Sequence, residues 1–321
     1  MNADMHTDAI LSRKHYLALC GGVGGAKLAL GLSHVLAPQQ LTIVVNSGDD
    51  FDHLGLLICP DIDTVTYTLA GLVQPTQGWG RDSESFGALD TVERLGGETW
   101  FRLGDKDIGL HLMRRIMLDK GLSLSAVTAH IACQLGIAHK IAPMTNGKVR
   151  TMVQTAEGLM AFQQYFVKER CAPVITGIQY LGAPCAPASP ALMEALADPD
   201  LAGVFICPSN PYLSIDPILA LPGIRQKLVD THAPVIAVAP IVRGAAIKGP
   251  TAKIMRELSV EPSAAAVAFH YKDFLDGYIV DTADALTVST PRVTACDIVM
   301  KSLADKIVLA RRCLAFSDEL A

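Results

Sequence analysis

No apolar run in the chain reaches the ~18 residues that a membrane-spanning helix needs, so neither a transmembrane segment nor a membrane partner is expected. Arg13 and Lys14, followed by apolar residues, imitate an export leader. Four glycines and Lys27 break that run, however, and the helical pattern beyond it is amphipathic, so the expectation is a cytoplasmic protein. Eight cysteines are scattered without a CxxC pair or zinc-like spacing, which excludes a zinc ribbon and a disulfide framework and leaves reduced core residues. A net charge of −5 argues against a nucleic-acid scaffold. There is no internal repeat, low-complexity tract or long linker. No Ser-His-Asp grouping or reactive-cysteine context is visible, so covalent catalysis is not called for. What is present is apolar bulk: 50% of the 321 residues are hydrophobic, enough for one large domain or two smaller ones.

The most informative stretch is residues 15–27, HYLALCGGVGGAK. An apolar run, Tyr16 to Cys20, stops at Gly21, Gly22, Gly24 and Gly25, and a helical pattern opens at Ala26 and Lys27. Strand, glycine turn and helix in that order make a phosphate cradle, because glycine admits close backbone approach and the helix N-terminus offers N–H donors. Lys27 adds a positive charge. A tight turn is the plainer alternative, although four glycines exceed what a turn requires. The loop is not a Walker motif, since Ala26 and Leu28 stand where Gly and Ser or Thr are needed. Nor is it a dinucleotide fingerprint, whose third Gly position holds Lys27.

Leu41–Val45 is a continuous β-branched run suited to a parallel strand buried on both faces, and it empties into Asn46-Ser47-Gly48-Asp49-Asp50. Further strands are expected at Lys148–Thr155, Val204–Cys207, Pro234–Val242, Tyr278–Asp281 and Asp297–Met300, with a helix after Ala304. Strands alternating with helices predict an α/β fold, a doubly wound, mostly parallel Rossmann-like sheet. Its core would comprise 15–108 and 201–321, with a helix-rich insertion at 109–200 and a flexible extension at 1–14. Ligands of open α/β sheets bind at the carboxyl edge, where the glycine turn, the acidic turn and the turn Pro208-Ser209-Asn210-Pro211 all fall.

Acids at such an edge bind a ribose, cap the next helix or hold a divalent metal. Asp49 and Asp50 allow all three. Asp61 and Asp63 of CPDIDT, just before an apolar helix, are equally well explained as first-turn acids. Two acidic pairs beside a phosphate cradle tip the reading towards magnesium, which takes one or two carboxylates plus phosphate oxygens and water. In the polar loop 74–90, Trp79 and Phe86 either pin the loop or stack on a ligand. Asp105 or Asp107 is the natural cap of the next helix, on which His111 and Arg114 share a face while Arg115 is solvated. Arg102 and Lys106 are anion-binding candidates.

Taken in order, GGVGGAK, NSGDD, CPDIDT, GWG, LGDKDIGLHLMRR, IAPMTNGKVRT, FQQYFV, PSNPYLSIDPIL and APIVRG resemble the 2-phospho-L-lactate transferase family of coenzyme F-420 biosynthesis over roughly residues 15–285. The resemblance implies a magnesium-dependent transferase of class EC 2.7.8. It would move a phospho-acid (2-phospholactate, phosphoenolpyruvate or 3-phosphoglycerate) from its GDP-activated form to the terminal ribityl hydroxyl of the deazaflavin FO, releasing GMP. It further implies Asp49 and Asp61 as metal carboxylates, and Asp63 at the deazaflavin near its reacting hydroxyl. Arg102 would bind the deazaflavin. Gly22, Gly24, Gly25, Lys27, Ser209 and Asn210 would hold the guanosine diphosphate. A homodimer is expected. The rival readings are a non-enzymatic nucleotide-sugar-binding regulator of the same fold and an NAD-dependent oxidoreductase.

Overall fold

The computed structural model describes residues 13–285, 288 and 291–321. The expected extension 1–14 therefore lies outside the described residues except for Arg13 and Lys14, whose Nζ reaches Asp318 Oδ1 at 2.6 Å.

Seven parallel strands form the central sheet: β1 (His15–Cys20), β2 (Leu41–Val45), β3 (Lys140–Pro143), β4 (Leu201–Ile206), β5 (Val235–Val238), β6 (Gly277–Asp281) and β7 (Arg292–Cys296). Their spatial order is β3-β2-β1-β4-β5-β6-β7, so the chain winds outward from β1 in one direction and then, from β4, in the other. β1, β2, β5 and β6 are buried along their whole length, which is why their sequences are almost continuously apolar and not alternating. Helix α1 (Gly22–Ser33) packs against α2 (Pro60–Leu69) and the C-terminal helix Leu303–Leu320. The contact with the C-terminal helix is so close that a Cβ at Gly31 would strike the Lys306 carbonyl oxygen. Among the described residues no helix is long and apolar enough to cross a membrane.

Three differences from the sequence expectation bear on the site. First, α1 begins at Gly22, so the glycines are the first turn of the helix and do not form a loop ahead of it. Secondly, the segment 109–200 carries more than helices. After α4 (Asp105–Asp119, following α3, Gly87–Arg94) and α5 (Leu124–Gln134) come the sheet edge β3 and a three-stranded antiparallel sheet of Arg150–Thr155, Gly158–Ala161 and Gly177–Leu181. Strand β3 is four residues ending in proline, too short for a periodic signal and defined only by its pairing with β2. Thirdly, the last strand is Arg292–Cys296; Asp297–Met300 has no regular structure. Its exposed arginine and half-buried residues are those of a sheet edge, not of a core strand.

Candidate active site

The winding reverses between β1 and β4, which is where an open α/β sheet leaves a crevice. Here the turns after both strands are locked together. Gly24 lies so close to Pro208 that an added Cβ would overlap the Pro208 carbonyl oxygen. Ser209 Oγ donates to the Gly21 carbonyl at 2.8 Å and accepts from the Gly21 N–H at 3.2 Å. Gly22 has φ +61°, a left-handed conformation that suits glycine, and its N–H is bonded to Asp61. The donors at Gly21 and Gly22 are therefore already engaged by Ser209 and by a carboxylate. The expected phosphate cradle is in part an intramolecular one.

A cavity of about 400 Å³ opens over this crossing, of a size suited to a small-molecule ligand. Gly22, Gly24, Lys27, Ser209 and Asn210 line it, and so do Asp49, Asp61, Asp63 and Arg102. Gly25 does not. Its α-carbon faces the wall behind, where a Cβ would stand 2.7 Å from Ser209 Oγ and 2.8 Å from Cys20 Cβ. Its place is in the packing beneath the cavity, a correction to its expected contact with substrate. Asn210 Oδ1 accepts from the N–H groups of Tyr212 and Leu213, while its buried Nδ2 has no partner among the described residues.

The acids separate into distinct environments. Asp49 and Asp61, from the turn after β2 and the first turn of α2, are both buried in the same cavity wall. Burial, reinforced by the neighbouring Asp61 charge, holds the Asp49 carboxyl well above the usual range, and its Oδ1 has no hydrogen-bond partner among the described residues. Burial lifts Asp61 to about 6, against the hydrogen bonds from Asn46 Nδ2 (2.9 Å) and the Gly22 N–H. Asn46 is pinned in turn by the Leu213 carbonyl and the Gly48 N–H. Mutually repelling buried carboxylates, one with an orphaned oxygen, are a donor set that fits a hard divalent cation. Asp50, expected to share this role, does not line the cavity; it lies against Cys59, and burial pushes it to about 8.

Asp63 is paired from behind. Arg114 on α4 grips both its oxygens, through Nη2 to Oδ1 and through Nη1 to Oδ2 at 3.2 Å. His111 and Arg114, one helical turn apart, share a face and are both buried, whereas Arg115 is exposed and pairs with Asp119. Burial pulls His111 down to about 4. A histidine whose folded pKa lies below its unfolded value contributes stability present above about pH 6.5, and that stability is lost as pH falls through the folded value. Denaturant midpoints should accordingly fall between about pH 6.5 and 4, with a shallower fall in His111→Gln. Equal slopes for both proteins would assign the acid lability elsewhere.

The cations behave unequally. Lys27 Nζ lines the cavity but donates to the Met300 carbonyl at 2.8 Å; burial and then the nearby Lys248 charge lower its pKa. The Arg102 guanidinium stacks 3.9 Å from the centroid of Phe86, so that aromatic pins the basic residue, while Trp79 stays 52% exposed at the cavity. Lys106 is not a loop residue and does not reach the cavity: it sits in the first turn of α4 and binds the Asp82 and Ser83 carbonyls. The cap of α4 is Glu84, which accepts from the N–H groups of Lys106 and Asp107, and Asp105 caps α3 at Gly87 and Ala88 in exchange.

The family model for the 2-phospho-L-lactate transferase CofD matches residues 17–302. The chain belongs to the CofD family. A phosphoenolpyruvate transferase of Kitasatospora aureofaciens is 37% identical over 95% of this chain and 98% of its own length. A 2-phospho-L-lactate transferase of Methanosarcina mazei is 37% identical over 82% and 86%. A crystal structure of a UPF0052-family protein of Bacillus halodurans superposes with a TM-score of 0.62 at 15% identity, covering 94% of this chain and 98% of its own, which speaks for the fold alone.

Sequence reasoning left several cavity residues of this CofD-family chain without a role. His111, signalled only by sharing a helix face with Arg114, and Lys248 both line the cavity, and nothing local showed that they converge there; Arg114 itself lies behind the wall, on Asp63. The aromatic wall of Trp100, Phe101, Phe162 and Phe166 comes from two distant segments; FQQYFV marked Phe162 and Phe166 only as part of the family resemblance, and nothing local placed the four rings together.

Proposed function

We propose that this CofD-family chain transfers a small phospho-acid from its GDP-activated form to the terminal ribityl hydroxyl of the deazaflavin FO, in coenzyme F-420 biosynthesis. The hydroxyl oxygen bonds to the phosphorus carried by the small acid, the bond from that phosphorus to the GMP oxygen breaks so that GMP leaves with the electron pair, and the hydroxyl proton passes to solvent. The observation that carries this reading is the gathering of Asp49, Asp61 and Asp63 in one cavity at the sheet's switch point, in a chain that matches the family over residues 17–302. Phosphoryl transfer asks chiefly for positioning and charge neutralisation, and these residues are of that kind. Asp49 and Asp61 would hold Mg²⁺, which when bound offsets negative charge on the diphosphate and on the departing GMP. Among the described residues no cluster of three or more His, Cys, Asp or Glu side chains forms a closed metal centre, so an ion here would complete its shell from substrate and water.

The chain's own groups do the rest. Lys27 and Lys248 place positive charge beside the glycine turn, and Asn210 Nδ2 offers a free donor to a diphosphate oxygen. Arg102 stands at the deazaflavin. Asp63 accepts a hydrogen bond from the attacking hydroxyl and orients it. Trp79, exposed at the cavity, covers a planar ring: Trp79→Ala should raise KM for FO about tenfold, from loss of ~1.4 kcal/mol of stacking, with the melting temperature unchanged. An unaltered KM would remove it from the site.

A phosphoenolpyruvate transferase and a 2-phospho-L-lactate transferase are about equally similar to the chain, and in this reading the candidate acids are phosphoenolpyruvate, 2-phospholactate and 3-phosphoglycerate. In this reading the enzyme works in the cytoplasm as a homodimer. Mass spectrometry of the product formed from FO, GTP, Mg²⁺, the partner guanylyltransferase and each acid in turn tests it. One acid should yield the corresponding phosphodiester of FO with stoichiometric GMP. No product with any acid, alongside binding of UDP-sugars, would favour a regulator instead.

A further inference from the structure

The buried cluster behind Asp63 has more structure than a single ion pair requires. Arg114 is only 2% exposed, and its Nη1 faces three acceptors: the Leu57 carbonyl at 3.1 Å, Asp63 Oδ2 at 3.2 Å and His111 Nδ1 at 3.0 Å. A guanidinium only donates. Nη1 has two hydrogens for these three acceptors, so one is shared, and with Nη1 as donor His111 Nδ1 is the accepting nitrogen and the ring hydrogen sits on Nε2. Protonation of both nitrogens would set two donors against each other, in keeping with the burial that keeps this histidine neutral. Asp63 and His111 both line the cavity, whereas Arg114 does not.

We propose that Arg114 is a positioning residue that fixes the carboxylate of Asp63 and the tautomer of His111 together, so that the cavity wall presents one hydrogen-bond acceptor and one N–H donor side by side to a hydroxylated chain on the acceptor substrate. A hydroxyl both gives and takes a hydrogen bond, and such a wall satisfies it on both counts. An ammonium can only give, and a carbonyl can only take. Because Asp63 is already charge-matched from behind, it has no need to recruit a cation from the ligand. Lysine cannot reproduce this arrangement: a single ammonium does not grip both carboxylate oxygens in a fork and reach Nδ1 and a carbonyl as well. The inference rests on the transferase reading above and specifies which groups recognise the acceptor's polyol.

The test uses the full chain with Mg²⁺ and two probes in direct binding: FO, and the same deazaflavin ring system lacking the ribityl chain. Arg114→Lys and His111→Leu should weaken FO binding about 10- to 100-fold while binding of the chain-less deazaflavin changes less than about twofold. His111→Gln, whose amide nitrogen stands in for Nε2–H, should restore FO binding to within about fivefold of the original. If Arg114→Lys fails to fold, the pair His111→Leu and His111→Gln carries the test alone. Equal losses for both probes, or equal losses in His111→Leu and His111→Gln, would reduce the cluster to a structural brace and overturn the inference. Failure of the unmodified protein to bind FO would instead sink the transferase reading itself.

Discussion

Asp49→Asn should lower turnover by about 10³-fold, on the order of 4 kcal/mol of transition-state stabilisation, while making the metal-free protein more stable at pH 8. Both halves follow from one geometry. Asp49 is a buried carboxyl facing Asp61, with an oxygen that no group among the described residues satisfies. Its folded pKa lies above the unfolded one. Its contribution to stability is thus fully present below about pH 4 and is lost as pH rises through the folded value. Asparagine, which never ionises, avoids that loss but surrenders the charge that a divalent ion would require. Mg²⁺ should therefore raise the melting temperature of the original protein and have much less effect on the variant, since a ligand stabilises only the state that binds it. Turnover within a few-fold of the original would rule out a metal held by Asp49. Mg²⁺ stabilisation that survives in the variant would shift the ion to other ligands.

Gly24→Ala should be the most damaging single-methyl change near the site. The added Cβ would overlap the Pro208 carbonyl oxygen, and neither partner can yield: one is the first turn of α1, the other the turn that Ser209 clamps to Gly21. Overpacking of a rigid contact costs about 3 kcal/mol or more, which in a chain of 321 residues lowers the melting temperature by roughly 4–5 °C or more. Spreading the two turns also displaces Lys27 and Asn210 relative to the acids, and a shift of about 1 Å is worth about 10² in rate. Gly109→Ala is the control. That glycine lies within α4 with open space around its α-carbon, so alanine should be neutral or stabilise by up to ~1 kcal/mol. Similar melting temperatures for the two variants would show that the turns separate easily and that the crevice is not held by this contact.

Legibility differed from element to element for physical reasons. β2 was readable to the residue, because a strand buried on both faces must be apolar at every position and LTIVV is nearly so. β3 was invisible, because four residues gain their identity only from the strand beside them. The placement of Asp49, Asp61, Asp63 and the turn at 208–211 along one edge was legible, since polar groups between apolar strands and helices fall at the sheet's carboxyl edge wherever the helices pack. Their chemistry was not. Nothing within CPDIDT distinguishes Asp61, bonded to Asn46 and Gly22, from Asp63, gripped by an arginine 51 residues away.

The sequence by itself determined the strand–glycine–helix opening, the α/β class, and the residue types gathered at one edge, because these depend on periodicity and on local backbone freedom. The tertiary structure alone decided which donors of the glycine turn are already engaged, which carboxylate faces another and which faces Arg114, and that Gly25 and Lys106 turn away from the cavity. Charge, burial and hydrogen-bond partnership depend on distances across the fold, and residues remote in the chain set them.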